Sequence, residues 1–308
     1  MMERSNRTRL APTPSGFLHL GNVMSFALTA GLARRSGASI LLRIDDLDRE
    51  RMSREYVEDI FETLSFMGIP WDEGPRSWEE FERTWSQVHR MGRYREALEW
   101  LREGGKVFAC DCSRSVILRG SPEGVYPGTC RERGLSLDQE GCSWRVKTEG
   151  VGAVKVGGGL EGLPAEMTDF VVRKKDGYPA YQLTSVIDDL YFGVDLVVRG
   201  DDLRASTAAQ RWLAAQLGPG AFGRIRFYHH ELLATTGGEK LSKSAGATSV
   251  QYLRRQGVKP GEIYSMILRW LGLGGDVANL DEFYQSASSM LYSDSPASPT
   301  GRGPVAEA

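Results

Sequence analysis

The stretch Arg7-Thr8-Arg9-Leu10-Ala11-Pro12-Thr13-Pro14-Ser15-Gly16-Phe17-Leu18-His19-Leu20-Gly21-Asn22 decides the fold. Arg7 to Leu10 is compatible with a short strand, Pro12, Pro14 and Gly16 stop regular structure, and an amphipathic helix follows from Asn22 to Arg35. A second apolar run, Ser39-Ile40-Leu41-Leu42-Arg43-Ile44, has the length and branching of a buried parallel strand. Ser53 then opens a helix with Tyr56, Val57, Ile60 and Leu64 on one face. The β-α-β-α alternation predicts an open α/β sheet of Rossmann-like type, whose ligands gather at the carboxyl ends of its strands.

Working outward, residues 80–103 predict a long helical region that ends at Gly104-Gly105. From 106 to 180 the character changes to a β-rich insertion, with strand-like Cys142–Thr148 and Asp169–Arg173 and a hairpin signal at Lys175-Asp176-Gly177. The α/β pattern then resumes with a helix near 181–189, a strand at Asp195–Val198, a helix from Arg204 to Leu217 and a strand at Arg224–His229. The expected organisation is one catalytic domain split into residues 1–105 and 181–247 by the 106–180 module. A helical segment over 248–291 and a disordered tail over 292–308 complete it. Ile263, Met266, Ile267, Trp270 and Leu271 form the apolar stripe of the helical segment.

Composition narrows the class. The chain has 308 residues, 41% of them hydrophobic and 25% charged, which excludes disorder throughout. Its 38 basic and 40 acidic residues leave a net charge of −2, so any nucleic-acid contact must come from a local surface. No apolar run reaches the ~18–20 residues of a membrane span, and the N-terminus lacks an apolar signal segment; a cytoplasmic, membrane-free location is expected. Three of the four cysteines, Cys110, Cys112 and Cys130, crowd together as metal ligands do in reducing compartments. Other motifs fail on inspection: His230-Glu231 lacks the second histidine of a zinc-protease helix, and Asp46-x-Asp48-x-Glu50 lacks the glycine and distal glutamate of a calcium loop.

Two constellations carry chemistry. In the first loop, hydroxyls and glycine allow close backbone approach, His19 sits at an opening helix N-terminus, and Gly21 puts no side chain before a flat base. The second, Gly238-Glu239-Lys240-Leu241-Ser242-Lys243-Ser244-Ala245-Gly246, places two lysines three apart between glycines and can close over a triphosphate. Each alone is weak, since a Pro-rich connector and a solvated basic loop are common. Together, at opposite ends of one split α/β domain, they point to ATP.

His19-Leu20-Gly21-Asn22 and Lys240-Leu241-Ser242-Lys243-Ser244 resemble the two signatures of class I aminoacyl-tRNA synthetases. The longer run from Arg9 to His19 is similar to the glutamyl/glutaminyl branch, as are Arg43-Ile44-Asp45-Asp46-Leu47-Asp48, Tyr181 with Ile187-Asp188-Asp189, and Val198-Arg199-Gly200-Asp201-Asp202-Leu203. The resemblance spans about residues 7–270 and implies ATP-dependent activation of L-glutamate. It assigns ATP contacts to His19, Gly21, Asn22, Lys240, Leu241, Ser242, Lys243 and Ser244, with His19, Lys240 and Lys243 catalytic and Mg²⁺ accompanying the ATP. It assigns glutamate contacts to Arg9, Ala11, Thr13, Asp45, Tyr181 and Arg199. Arg9 offers a planar fork for the side-chain carboxylate. Asp45 stands where the family usually has a glutamate facing the α-ammonium, one methylene shorter.

The resemblance further implies that Cys110, Cys112, Tyr126 and Cys130 hold one structural zinc, although spacing alone would nominate Cys142 as the fourth ligand. Only 64 residues follow Ser244, too few for the large helical anticodon-binding domain of conventional glutamate-charging enzymes. The expectation is therefore a monomer that transfers glutamate to the queuosine base of tRNA(Asp). The alternatives are a truncated ligase charging the tRNA 3′ end, a nucleotidyltransferase of the same superfamily, and a non-enzymatic synthetase-derived binding protein.

Overall fold

The computed structural model describes residues 5–121, 123–148, 154–156, 159–218, 220–233 and 249–293. Its centre is a five-stranded sheet built from β1 (Arg7–Leu10), β2 (Ser39–Leu42), β8 (Leu196–Gly200), β9 (Arg226–His230) and β10 (Leu291–Ser293), in the order β10-β9-β8-β1-β2. The first four are mutually parallel and β10 is antiparallel to β9. From β1 the chain moves to β2 on one side, whereas β8 and β9 extend the sheet on the other. That reversal opens a crevice beyond the carboxyl ends of β1 and β8.

Helix α1 (Leu20–Ser36) fills the space above the sheet and is buried along nearly its whole length. Gly37, at φ 76°, ends it in the left-handed conformation. At Gly31 a Cβ would lie 2.0 Å from the Tyr284 ring, so glycine is what lets α10 (Leu280–Ala287) dock there. The helix α2 (Arg54–Phe66) begins at Ser53, whose Oγ accepts from the Tyr56 amide, and buries Val57, Ile60, Phe61 and Leu64. Arg254 of α8 (Val250–Arg255) pairs with Asp59 and Glu62 on α2.

The predicted long helix over 80–103 is broken. A short α3 (Trp78–Glu80) runs into a π-helical turn over Phe81–Trp85, the chain turns out at Ser86 (ψ 141°), and a 3₁₀ turn precedes α4 (Met91–Glu103). The cause is Asp46, fully buried, which accepts from Ser86 Oγ at 2.5 Å and from the Gln87 amide at 2.7 Å. Satisfying that carboxylate is worth more than a regular ladder.

Residues 106–180 contain β3 (Val107–Cys110), α5 (Arg114–Gly120), β4 (Ser143–Val146), β5 (Val154–Val156), β6 (Gly159–Glu161) and β7 (Val171–Arg173). β3, β4 and β7 form an antiparallel sheet, and β5 and β6 a separate hairpin. The three-stranded sheet shares its core with the rest of the molecule: Val107, Trp144, Val146 and Val172 pack with Tyr94 and Leu98 of α4, Leu183 of α6 (Tyr181–Tyr191) and Trp212 of α7 (Arg204–Leu217).

Two expectations about the C-terminal part are corrected. α9 (Pro260–Trp270) buries Ile263, Tyr264, Ile267 and Leu268, while Trp270 lies outside the stripe at 39% exposed. The tail expected to be disordered from 292 instead contributes Tyr292 and Ser293 to β10, because β9 offers them an unpaired edge. Residues 294–308 lie outside the described ones. Among the described residues no helix is long and apolar enough to cross a membrane.

Candidate active site

A cleft of about 650 Å³ occupies the crevice at the carboxyl ends of β1, β2, β8 and β9. Arg9, Ala11, Thr13, His19, Gly21, Asn22, Asp45, Tyr181 and Arg199 all line it. Nine positions nominated from four separate sequence segments thus share one cavity, of a size suited to a small ligand.

At one end the loop after β1 delivers His19 as N-cap of α1. Its Nδ1 accepts from the Gly21 amide at 3.1 Å, and its own amide donates to Asn22 Oδ1 at 3.0 Å, a reciprocal capping box. With Nδ1 accepting, the neutral ring carries its proton on Nε2. Gly21 has a local reason to be glycine: a Cβ there would sit 3.0 Å from the His19 ring. The partially positive helix end suits phosphate. Lys240, Leu241, Ser242, Lys243 and Ser244 lie outside the described residues. On either side of them, Leu233 lines the cleft and Ser249 bridges His19 in antiparallel fashion, with the Val250 amide donating to Leu18 O at 2.8 Å.

The other end is built of buried charge. Arg43 grips both Asp45 oxygens, at 2.7 and 3.0 Å, and reaches Asp189 at 2.6 Å. Burial works against its charge, but Asp45, Asp189 and Asp188 together outweigh burial and hold its proton tightly. Asp188 accepts from Arg90, Tyr94 and Gln87. Burial raises its pKa, yet Arg43 and Arg90 prevail and the carboxyl stays below its ordinary range. Arg9 Nε lies 3.4 Å from Asp189 and has no hydrogen-bond partner among the described residues. The shorter arm of Asp45 is thus engaged by Arg43 while its side chain still faces the cleft.

Arg199 is treated differently. Its hydrogen bonds go to neither of the nearby carboxylates Asp201 and Asp202; Asp201 pairs with Arg204. Its guanidinium donates to Gln210 Oε1 at 3.0 Å and to Thr207 Oγ1 at 2.5 Å, both neutral, and rests over the Phe227 ring at 4.9 Å. Burial, with Arg9 adding like charge, lowers its pKa. A guanidinium remains protonated regardless, so the cleft holds a buried cation with no carboxylate hydrogen-bonded to it among the described residues.

Residues 5–123 and 142–295 match the family model of class I tRNA synthetases (E and Q), catalytic domain. The chain belongs to this family. It is accordingly a ligase-type enzyme of the glutamate/glutamine branch. Among curated relatives it is similar to proteins named glutamyl-Q tRNA(Asp) synthetase from Synechococcus sp. (strain CC9605) and Parasynechococcus marenigrum. Both are 37% identical, over 87% and 89% of this chain and 83% and 86% of theirs. A glutamate–tRNA ligase 2 from Halorhodospira halophila is 33% identical over 91% of this chain but only 60% of its own length. A solved glutamate tRNA ligase from Elizabethkingia meningosepticum shares the fold, with a TM-score of 0.66 at 22% identity over 92% of this chain and 64% of that one.

Away from the cleft, this synthetase-family chain gathers the sulfurs of Cys110, Cys112 and Cys130 within 4.8 Å of one another. Three thiolates around a tetrahedral zinc at ~2.3 Å per bond stand ~3.8 Å apart, and the Cys112 and Cys130 sulfurs lie at 3.5 Å. The Tyr126 hydroxyl accepts from the Cys130 amide at 2.8 Å, and its ring lies 3.9 Å beneath Arg145. Cys142, fully buried, stands outside the group. Burial and its neighbouring thiols push Cys112 up to about 12, so only a cation would let all three ionise together. The donor set fits zinc, with Tyr126 rather than Cys142 beside the three sulfurs.

Sequence reading missed the support of the cleft. Gln87, Arg90 and Tyr94 meet at Asp188, and Thr207 and Gln210 hold Arg199. The available signal was polar residues on helix faces that are otherwise apolar.

Proposed function

We propose that this enzyme activates L-glutamate with ATP to glutamyl-adenylate and transfers the glutamyl group to the queuosine base of tRNA(Asp), working as a monomer. The observation that carries the substrate reading is Arg199, a buried cation held by neutral partners beside Arg9, Tyr181 and Asp45. Such a site is costly until an anionic ligand enters. A dicarboxylate with an α-ammonium group matches two guanidinium groups and a nearby carboxylate.

The α-carboxylate, with a pKa of about 3.5, is ionised at neutral pH and needs no base. It attacks the α-phosphorus, and pyrophosphate leaves. His19, at the α1 N-terminus, stabilises charge growing on the phosphates, with Lys243 and Lys240 assigned the same task. Mg²⁺ enters with ATP as part of the substrate. In the second step a hydroxyl on the modified base attacks the acyl carbon and AMP departs. Cys110, Cys112, Tyr126 and Cys130 would hold the zinc, which would supply a structural tie between the end of β3 and the loop after α5.

Support for the acceptor is the coverage of the relatives bearing that name. The test offers labelled glutamate and ATP with tRNA(Asp) containing or lacking queuosine, and with tRNA(Glu). Product on queuosine-containing tRNA(Asp) alone is expected; charging of tRNA(Glu) would instead select 3′-end ligation.

A further inference from the structure

We infer that Gln210 is a positioning residue that keeps the Arg199 charge available to substrate, and thereby sets the preference for an anionic amino acid; this rests on the glutamate reading above. Gln210 is fully buried on α7, and its Oε1 accepts from Arg199 at 3.0 Å. The direction of its amide is fixed from both ends. Arg199 can only donate, so it must meet the oxygen. The Gln210 nitrogen donates to Gln182 Oε1 at 3.0 Å, and Gln182 Nε2 donates to Ser206 Oγ at 3.0 Å. Thr207 supplies the second neutral acceptor for the guanidinium and also meets His229 Nε2 at 2.9 Å.

The contrast with the neighbouring guanidinium groups gives this chain of amides its meaning. Arg43 and Arg90 meet carboxylates directly and are neutralised where they stand. A carboxylate at 210 would have the same size and could grip Arg199 more strongly than an amide does. It would also cancel the charge that a substrate carboxylate needs, and would lose the donation to Gln182. An amide orients Arg199 without neutralising it.

The test is glutamate-dependent ATP–pyrophosphate exchange, run with tRNA present, on the parent, Gln210→Glu and Gln210→Met, each checked for its melting temperature. Gln210→Glu should raise KM for glutamate about thirtyfold, with KM for ATP and kcat within about twofold. Gln210→Met, which removes the acceptor and adds no charge, should raise it only about fivefold. A folded Gln210→Glu whose KM for glutamate matches the parent's overturns the assignment. So does equal impairment of the two substrates, which marks a merely structural residue. If Gln210→Glu does not fold, an unchanged KM in Gln210→Met overturns it equally. A parent that exchanges no pyrophosphate with glutamate overturns the substrate reading itself and this inference with it, whereas an active parent confines any failure to Gln210.

Discussion

The floor and the side wall of the cleft each bury an arginine, and they treat it in opposite ways. On the floor, Arg43 is enclosed by Asp45, Asp189 and, at 4.0 Å, Asp188, and the charges cancel within the protein. On the wall, Arg199 is held by an amide and a hydroxyl and its charge does not cancel. Burying a charge is tolerable when it is paired and expensive when it is not. The floor therefore balances most of its charge within the protein, with Asp45 still at the cleft surface, whereas the wall keeps a positive charge that, under the proposed function, meets a ligand.

Arg43→Met should break the comparison most severely. It leaves Asp45 without its hydrogen-bonded partner and Asp189 with only Arg9, at 3.4 Å, and a loss of about 3–5 kcal/mol in folding stability is expected by denaturant melts. Arg199→Met should do the reverse: the melting temperature stays close to the parent's while KM for glutamate rises about a hundredfold in pyrophosphate exchange. A large fall in stability for Arg199→Met would erase the distinction between the regions.

Acid sharpens the same contrast. The pKa of Asp188 is depressed in the fold, so its contribution is complete above the unfolded carboxyl value of about 4 and is lost as pH falls through its folded value. Asp188→Asn should accordingly flatten the acid limb of a stability-against-pH curve, and an unchanged limb would remove the charge from the account. The smallest effect belongs to the cysteine group. Tyr126→Phe loses one hydrogen bond, to the Cys130 amide, costing about 1 kcal/mol. If the group holds zinc, as proposed, and the phenol oxygen is a ligand, elemental analysis will also show less zinc in Tyr126→Phe than in the parent.

The first strand, loop and helices are legible because their instructions are local: Pro12, Pro14 and Gly16 punctuate, and α2 shows its apolar period, although α1, expected to be amphipathic, is instead buried along nearly its whole length because the sheet and the C-terminal helices cover it. The break at Ser86 is not legible, because its cause is Asp46, forty positions earlier in the chain. The same division holds in the cleft. Arg9, His19, Tyr181 and Arg199 stand within recognisable runs, whereas Gln210 and Thr207 read as ordinary polar residues on a helix and acquire a role only when α7 packs beside β8. Motifs name the groups that touch a ligand; the neutral or charged company they keep is set by tertiary structure.

The strand β10 has a consequence for how molecules meet one another. Pairing Leu291 with His230 and Ser293 with Tyr228 turns β9 from a border into an interior strand. A border left open there would present a row of amides and carbonyls to any passing chain, immediately beside the cleft mouth. With β10 in place, the outermost strand on that side among the described residues is three residues long, which is short for templating a second sheet. A covered border of this kind disfavours edge-to-edge pairing of neighbouring copies beside the entrance.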